Sequence, residues 1–258
     1  MRQCKVGARS TISNDMDPKG KVALVTGAAR IGQVVAHSLA ARGCDLALIY
    51  RGSREAAEAS AKDATNAGVR AITIRADATD EGEIAAAVKE THRALGRIDI
   101  LLNMASIYQS APEPKAADWS KTIDANARSV FLFSTAAAPT MKQSKGGRII
   151  NFADWLPASG RPRYKGFVPY YSSKASVIGL TQSLALELAP EILVNAIAPG
   201  PILEPPRLTS KESMEVIEAT PLRRWGGAGE IAKTVLFLVD SDFVTGECIR
   251  VDGGRHLY

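Results

Sequence analysis

The sequence predicts one α/β domain, a doubly wound parallel sheet of about seven strands with helices on both faces. Three observations carry this. Short runs rich in Val, Ile and Leu (Lys21–Thr26, Asp45–Tyr50, Ala71–Arg75, Ile98–Asn103, Arg148–Phe152, Leu193–Ile197 and Cys248–Val251) alternate with helical stretches, the arrangement that builds a parallel sheet covered on both sides. The first run leads through a glycine turn, Gly27-Ala28-Ala29-Arg30-Ile31-Gly32, into an amphipathic stretch. A chain of 258 residues, 46% hydrophobic, is long enough for one large core.

The connecting helices follow in order. The first runs to about Arg42, the second over Glu55–Ala67 and the third over Glu81–Leu95. Trp119–Met141 reads as one long helix containing Asn126, and Gly146-Gly147 leads from it into the fifth strand. A helix opening near Tyr170 runs to Leu188, where Pro190 stops it, and Glu230–Val239 forms the last. Residues 201–220, with Pro201, Pro205 and Pro206, read as a long loop or lid over a site. Residues 1–17 read as a loose N-terminal extension and 18–258 as the single domain.

Composition narrows the function. The net charge of +5 arises from 32 basic and 27 acidic residues scattered along the chain, which implies no nucleic acid and suits small anionic molecules. No apolar run reaches the roughly 18 residues that span a bilayer, so no membrane partner is expected. Cys4, Cys44 and Cys248 are far apart without metal-ligand spacing. They imply no metal and a reducing, cytoplasmic setting.

The chemistry concentrates between Asn151 and Lys174. Tyr170 and Lys174 are four residues apart, on one helical face, whereas Tyr171 points about 100° away. An ammonium beside a phenol favours proton exchange near neutral pH. Asp154 follows the fifth strand, where loops leaving a parallel sheet carry function.

Nearly the whole chain resembles the short-chain dehydrogenase/reductase family, on Thr26-Gly27 to Gly32, Asp77, Asn103-Met104-Ala105-Ser106, Asn126, Tyr170 to Lys174, Pro199-Gly200 and Asp252-Gly253-Gly254. The resemblance implies a Rossmann-type fold with Tyr170 as proton donor or acceptor. It implies that Lys174 binds the nicotinamide ribose and lowers the Tyr170 pKa, and that Asn126 supports a water relay. It assigns dinucleotide binding to Gly27, Arg30, Ile31 and Gly32, to Asp77 and Ala78, and to Asn103, Ala105 and Ser106. Pro199, Gly200 and Ile202 complete that set with Tyr170 and Lys174. At the end of the second strand Tyr50-Arg51-Gly52-Ser53 offers no acid before Glu55. Arg51 with Ser53 suits a 2′-phosphate, so the expected cofactor is NADPH.

Three positions depart from the family pattern. Thr26 to Gly32 spans seven residues where the family usually has eight, which requires a tightened or shifted loop. Met104 replaces a common Asn and reads as packing. Asp154 replaces the usual Ser. Pteridine reductases of the family carry Asp there, and with Ala105-Ser106-Ile107-Tyr108 this points to a pterin-like planar substrate held by Ser106, Tyr108, Asp154 and Tyr170. The alternatives are a ketone or 3-oxoacyl reductase and a non-catalytic NADP-binding sensor. The family also implies a homo-oligomer, a dimer or homotetramer.

Overall fold

β1 (Val22–Thr26) is a run of five buried residues. Successive side chains of a strand point to opposite faces, so Ala23 and Val25 join one core while Val22 and Leu24 join another. Around it lie β2 (Asp45–Tyr50), β3 (Ala71–Arg75), β4 (Ile100–Asn103), β5 (Gly147–Phe152), β6 (Ile192–Pro199) and β7 (Cys248–Val251). All neighbours pair in parallel, in the order β3-β2-β1-β4-β5-β6-β7. The structure, a computed structural model, describes residues 16–144 and 146–257.

The helices are α1 (Ile31–Ala41), α2 (Arg54–Asn66), α3 (Glu81–Leu95), α4 (Ala116–Ile123), α5 (Ser129–Gln143), α6 (Trp155–Ala158), α7 (Val168–Leu188), α8 (Ser210–Glu218) and α9 (Ala228–Asp240). One face of the sheet is covered by α1, α2 and α9 through Leu39, Ala57 and Val235. The other is covered by α3, α5 and α7 through Val88, Phe133 and Leu184. The doubly wound sheet expected from the alternation is therefore present. Strand order reverses between β1 and β4, which pair from Ala23 with Ile100 to Thr26 with Asn103. At such a switch point the loops leaving both strands open a crevice.

Several boundaries differ for local reasons. The long helix runs from α4 into α5 through a π-turn at Asp124–Arg128, which carries Asn126. α7 starts at Val168, with Pro169 in its first turn, where a missing N–H costs nothing. Ile98 and Asp99 precede β4, and the buried Asp99 carboxylate accepts from Val22 N–H at 2.9 Å. The expected loop at 201–220 contains α8, which Thr209 and Glu212 start by capping each other's backbone N–H groups. The one-turn α6 was too short to show as periodicity and is capped by Asp154.

Of the extension expected over residues 1–17, residues 1–15, with Cys4, lie outside the described residues. Met16 packs into the α1-side core. No helix among the described residues is long and apolar enough to cross a membrane.

Candidate active site

At the switch point Thr26 Oγ1 accepts from the N–H groups of Met104 and Ala105, both at 3.0 Å. This ties the β1 turn to the loop after β4. Gly27 (φ 77°) sits so close that a Cβ there would lie 3.0 Å from Ala105 N. The turn is short by one residue, and it closes by tightening. Arg30 takes φ 53°, ψ −109°, and a Cβ on Gly32 would fall 2.3 Å from Gly27 O. Arg30 thus occupies a left-handed backbone position that glycine holds more cheaply.

Two cavities adjoin this turn and share Gly27 and Ser106 as lining. The smaller, about 220 Å³, is bounded by Tyr50, Arg51, Ser53, Asp77, Ala78 and Ala105. The larger, about 530 Å³, takes in Arg30, Ile31 and Gly32, then Asp154, Tyr170 and Lys174, and Pro199, Gly200 and Ile202. A two-lobed groove crossing the switch point, with a glycine turn and helix start at its middle, fits a dinucleotide. Most predicted binding residues are thereby brought together. Asn103 is not: its amide turns into the sheet interior and donates to Ser134 Oγ and Asn151 Oδ1, at 3.2 and 2.9 Å. Among the described residues its Oδ1 has no partner.

Arg51 is exposed at the rim, 3.5 Å from the Asp77 carboxylate. That carboxyl lies below its ordinary pKa, chiefly because it accepts from Thr79 N–H and Oγ1–H, with Arg51 adding to the effect. Arg54 pairs with Glu58 on the surface of α2. Arg51 therefore remains the cation facing the smaller cavity.

The residues expected to be catalytic meet where β5 ends and α7 begins. Tyr170 O–H donates to Asp154 Oδ2 at 2.9 Å, while Asp154 Oδ1 accepts from Leu156 N–H at 2.8 Å. Burial raises the Asp154 carboxyl above its ordinary pKa, against the lowering effects of these two bonds and of Lys174. Lys174 is wholly enclosed and donates to Phe152 O at 2.7 Å; burial lowers its ammonium to about 8. Tyr170 is pushed well above its ordinary value, first by burial and then by the Asp154 charge and hydrogen bond. The phenol therefore lacks the lowered pKa expected beside Lys174: burial is the larger cause and the Asp154 carboxyl the next.

Asn126 acts behind this centre. Its Oδ1 accepts from Ile107 N–H at 2.7 Å, and its Nδ2 donates to Ile107 O and Ser173 Oγ, both at 3.0 Å. Ser173 Oγ in turn donates to Tyr170 O at 2.7 Å. The π-turn aims Asn126 so that it straps the loop after β4 to α7, and π-turns commonly mark functional sites.

An aromatic wall flanks the phenol. Tyr108 stacks on Phe167 (centroids 5.0 Å, planes 22° apart) and meets Tyr170 edge-on at 4.7 Å. With Leu156, Pro157 and Tyr164 these rings line an apolar cavity of about 260 Å³. Sequence reasoning found Tyr108 but missed Phe167, Tyr164, Trp155 and Arg255, all of which border these cavities. The aromatic loop residues carried no spacing signal. Arg255, directly after Asp252-Gly253-Gly254, was visible as a charge at the end of a recognised motif.

Comparison with known proteins agrees with this geometry. The family profile described as enoyl-(acyl carrier protein) reductase matches residues 27–256. A 3-oxoacyl-[acyl-carrier-protein] reductase FabG of Staphylococcus aureus is 38% identical over 245 residues, covering 92% of this chain and 98% of that one. A (2S)-[(R)-hydroxy(phenyl)methyl]succinyl-CoA dehydrogenase subunit of Thauera aromatica is 36% identical over 253 residues, covering 94% and 99%. A short-chain dehydrogenase of Burkholderia cenocepacia, solved in complex with NADP, superposes with a TM-score of 0.86 at 34% identity, covering 93% and 99%. The chain therefore belongs to the short-chain dehydrogenase/reductase family and is an oxidoreductase of that family.

Proposed function

We propose that the protein is an NADPH-dependent reductase of a carbonyl group in a ketone or 3-oxoacyl substrate. The observation that carries this is the Tyr170 phenol, buried in the cleft with its O–H held on the Asp154 carboxyl, its pKa raised by burial and then by that carboxyl. The cofactor, when bound, supplies the hydride. Gly27, Arg30 and Gly32 would hold its diphosphate, Arg51 and Ser53 its 2′-phosphate, and Lys174 its nicotinamide ribose.

The proton steps belong to this chain. Tyr170 gives its O–H proton to the substrate oxygen as negative charge builds there. Its raised pKa makes it a weaker acid, yet an alkoxide is a stronger base still, so the transfer runs toward the substrate. Lys174, near 8, keeps much of its charge at neutral pH and offsets the phenolate left behind. Asn126 holds the loop and helix that aim these groups. The curated relatives of similar length named as 3-oxoacyl-[acyl-carrier-protein] reductases add support for the carbonyl class.

A second reading, reduction of a carbon–nitrogen double bond in a pterin-like ring, is favoured by one observation. The Asp154 carboxyl, raised by burial, lies 2.9 Å from the Tyr170 hydroxyl beside the stacked Tyr108 and Phe167 rings, a placing that suits a proton relay to a ring nitrogen. The case for a non-catalytic NADP-binding sensor rested on the short glycine turn, and it weakens because that turn closes without losing its approach to the switch point.

Asp154→Ser separates the catalytic readings. With wild type and variant assayed for NADPH oxidation on small ketones, 3-oxoacyl thioesters and dihydropterins, the carbonyl reading expects turnover of the first two. It also expects the variant to keep or increase that rate, since a negative charge beside the developing oxyanion is removed. Dihydropterin turnover that falls about tenfold or more in the variant, without ketone turnover in either protein, overturns it.

A further inference from the structure

Arg255 stands on a turn built to hold it still. Asp252, buried directly after β7, accepts from Gly254 N–H through Oδ1 at 3.0 Å and from His256 N–H through Oδ2 at 3.0 Å. The His256 ring nitrogen Nδ1 lies 2.8 Å from the same Oδ2, and Arg255 N–H donates to Asp252 O at 3.1 Å. Arg250 Nη1 donates to Ala158 O at 2.9 Å, fastening the neighbouring strand to α6. From this platform the Arg255 guanidinium lies 6.0 Å from the Trp155 ring centre, over a buried indole that directly follows Asp154.

The guanidinium is incompletely satisfied. Arg255 Nη1 is buried and has no hydrogen-bond partner among the described residues. Its obvious acidic neighbour, Asp252, already spends its oxygens on the turn itself. A buried cationic donor without a partner is costly, whereas one that meets an anion on binding gains a charge-assisted bond. Arg255 borders the same cavity as Asp154, Tyr170 and Lys174, and Arg163 adds a second guanidinium 5.3 Å from the Trp155 ring. Arg163 lines the aromatic cavity with Tyr108 and Phe167, while Arg255 lines the adjoining cavity with Tyr108, Asp154 and Tyr170.

We infer that the substrate of this cleft carries a carboxylate, which the planar fork of Arg255 receives while the apolar body rests against Tyr108 and Phe167. This rests on the proposed carbonyl reductase for what happens after binding, but binding itself is measured without turnover. The rival source of an anion is the cofactor diphosphate, and a separate arm of the test distinguishes it.

The probe is 3-phenylpropanoate, with its neutral amide as control, titrated calorimetrically into the full chain carrying NADPH. Wild type is expected to bind the acid at least about tenfold more tightly than the amide, the lower scale of a hydrogen bond to a charged group. Arg255→Leu is expected to abolish that preference, and Arg255→Lys to retain part of it by keeping the charge. NADPH affinity, read by fluorescence titration, is expected to stay within about twofold of wild type in both variants. Equal binding of acid and amide by wild type, or a preference that survives Arg255→Leu, overturns the inference. So does a loss of NADPH affinity in Arg255→Leu as large as the loss of acid affinity, which would assign the guanidinium to the cofactor. Failure of the carbonyl reading looks different, since ketones would then not be reduced although the acid preference stood.

Discussion

The charge of Lys174 costs this fold stability. The side chain is fully enclosed, with its ammonium lowered from 10.5 to about 8 by burial. Between those values the unfolded chain holds a proton that the folded chain has released, so this group makes stability rise with pH across that window. Its cost is fully present below about pH 8. Lys174→Met is therefore expected to stabilise the protein near pH 7 by up to about 3 kcal/mol, less the value of the Nζ bond to Phe152 O. Thermal unfolding of wild type and variant at about pH 7 and about pH 10 checks this. An advantage that grows with pH would contradict it. A lysine kept at such a cost is one the site uses, which is why stability and catalysis pull apart at this position.

Elements place the binding groups, and two of them make separate predictions. The glycine turn forces Arg30 to φ 53°, a conformation that costs a non-glycine residue about 1 kcal/mol. Arg30→Gly is expected to stabilise the fold by roughly that amount while weakening NADPH through loss of a cation, as read by denaturant unfolding and fluorescence titration. Unchanged NADPH affinity would mean that Arg30 does not face the phosphates. At the end of β2, Arg51 is shared between Asp77 and whatever enters the smaller cavity. Replacing it with Ala should weaken NADPH by about 1–3 kcal/mol while NADH binding barely changes. Equal losses with both cofactors would make Arg51 a structural residue.

At the scale of the whole molecule, exposed apolar side chains lie on the helices flanking the sheet. Trp119 on α4, Phe131 on α5 and Leu186 on α7 are 45%, 45% and 85% exposed. Apolar surface of this kind marks contact sites when it is contiguous. From the family and these exposed side chains we propose a homo-oligomer, dimer or tetramer, in solution. Light scattering is expected to give at least twice the chain mass of 27.5 kDa, and substitution of Phe131 by Asp is expected to lower it. A monomeric wild type would overturn the proposal.

The sheet was legible because its strands are buried on both faces, so β1, β2, β4 and β6 read as near-continuous apolar runs whatever surrounds them. The cleft residues Gly27, Gly32, Tyr170 and Lys174 were legible for a similar reason, since turn geometry and helical spacing are local. Contacts between distant segments were not. Asn103 reads as a groove residue until β5 and α5 offer its amide Asn151 and Ser134. α8 is a different case, because its Thr209–Glu212 capping box is local and was obscured only by the prolines before it. Sequence alone thus determined the fold class and the placing of Tyr170 and Lys174 one helical turn apart, because each is a matter of periodicity or spacing. Only the tertiary structure decided what charge the phenol meets. It brings Asp154 of the β5 loop within 2.9 Å of Tyr170, and it sets Arg255, about a hundred residues away in sequence, over the indole that follows that aspartate.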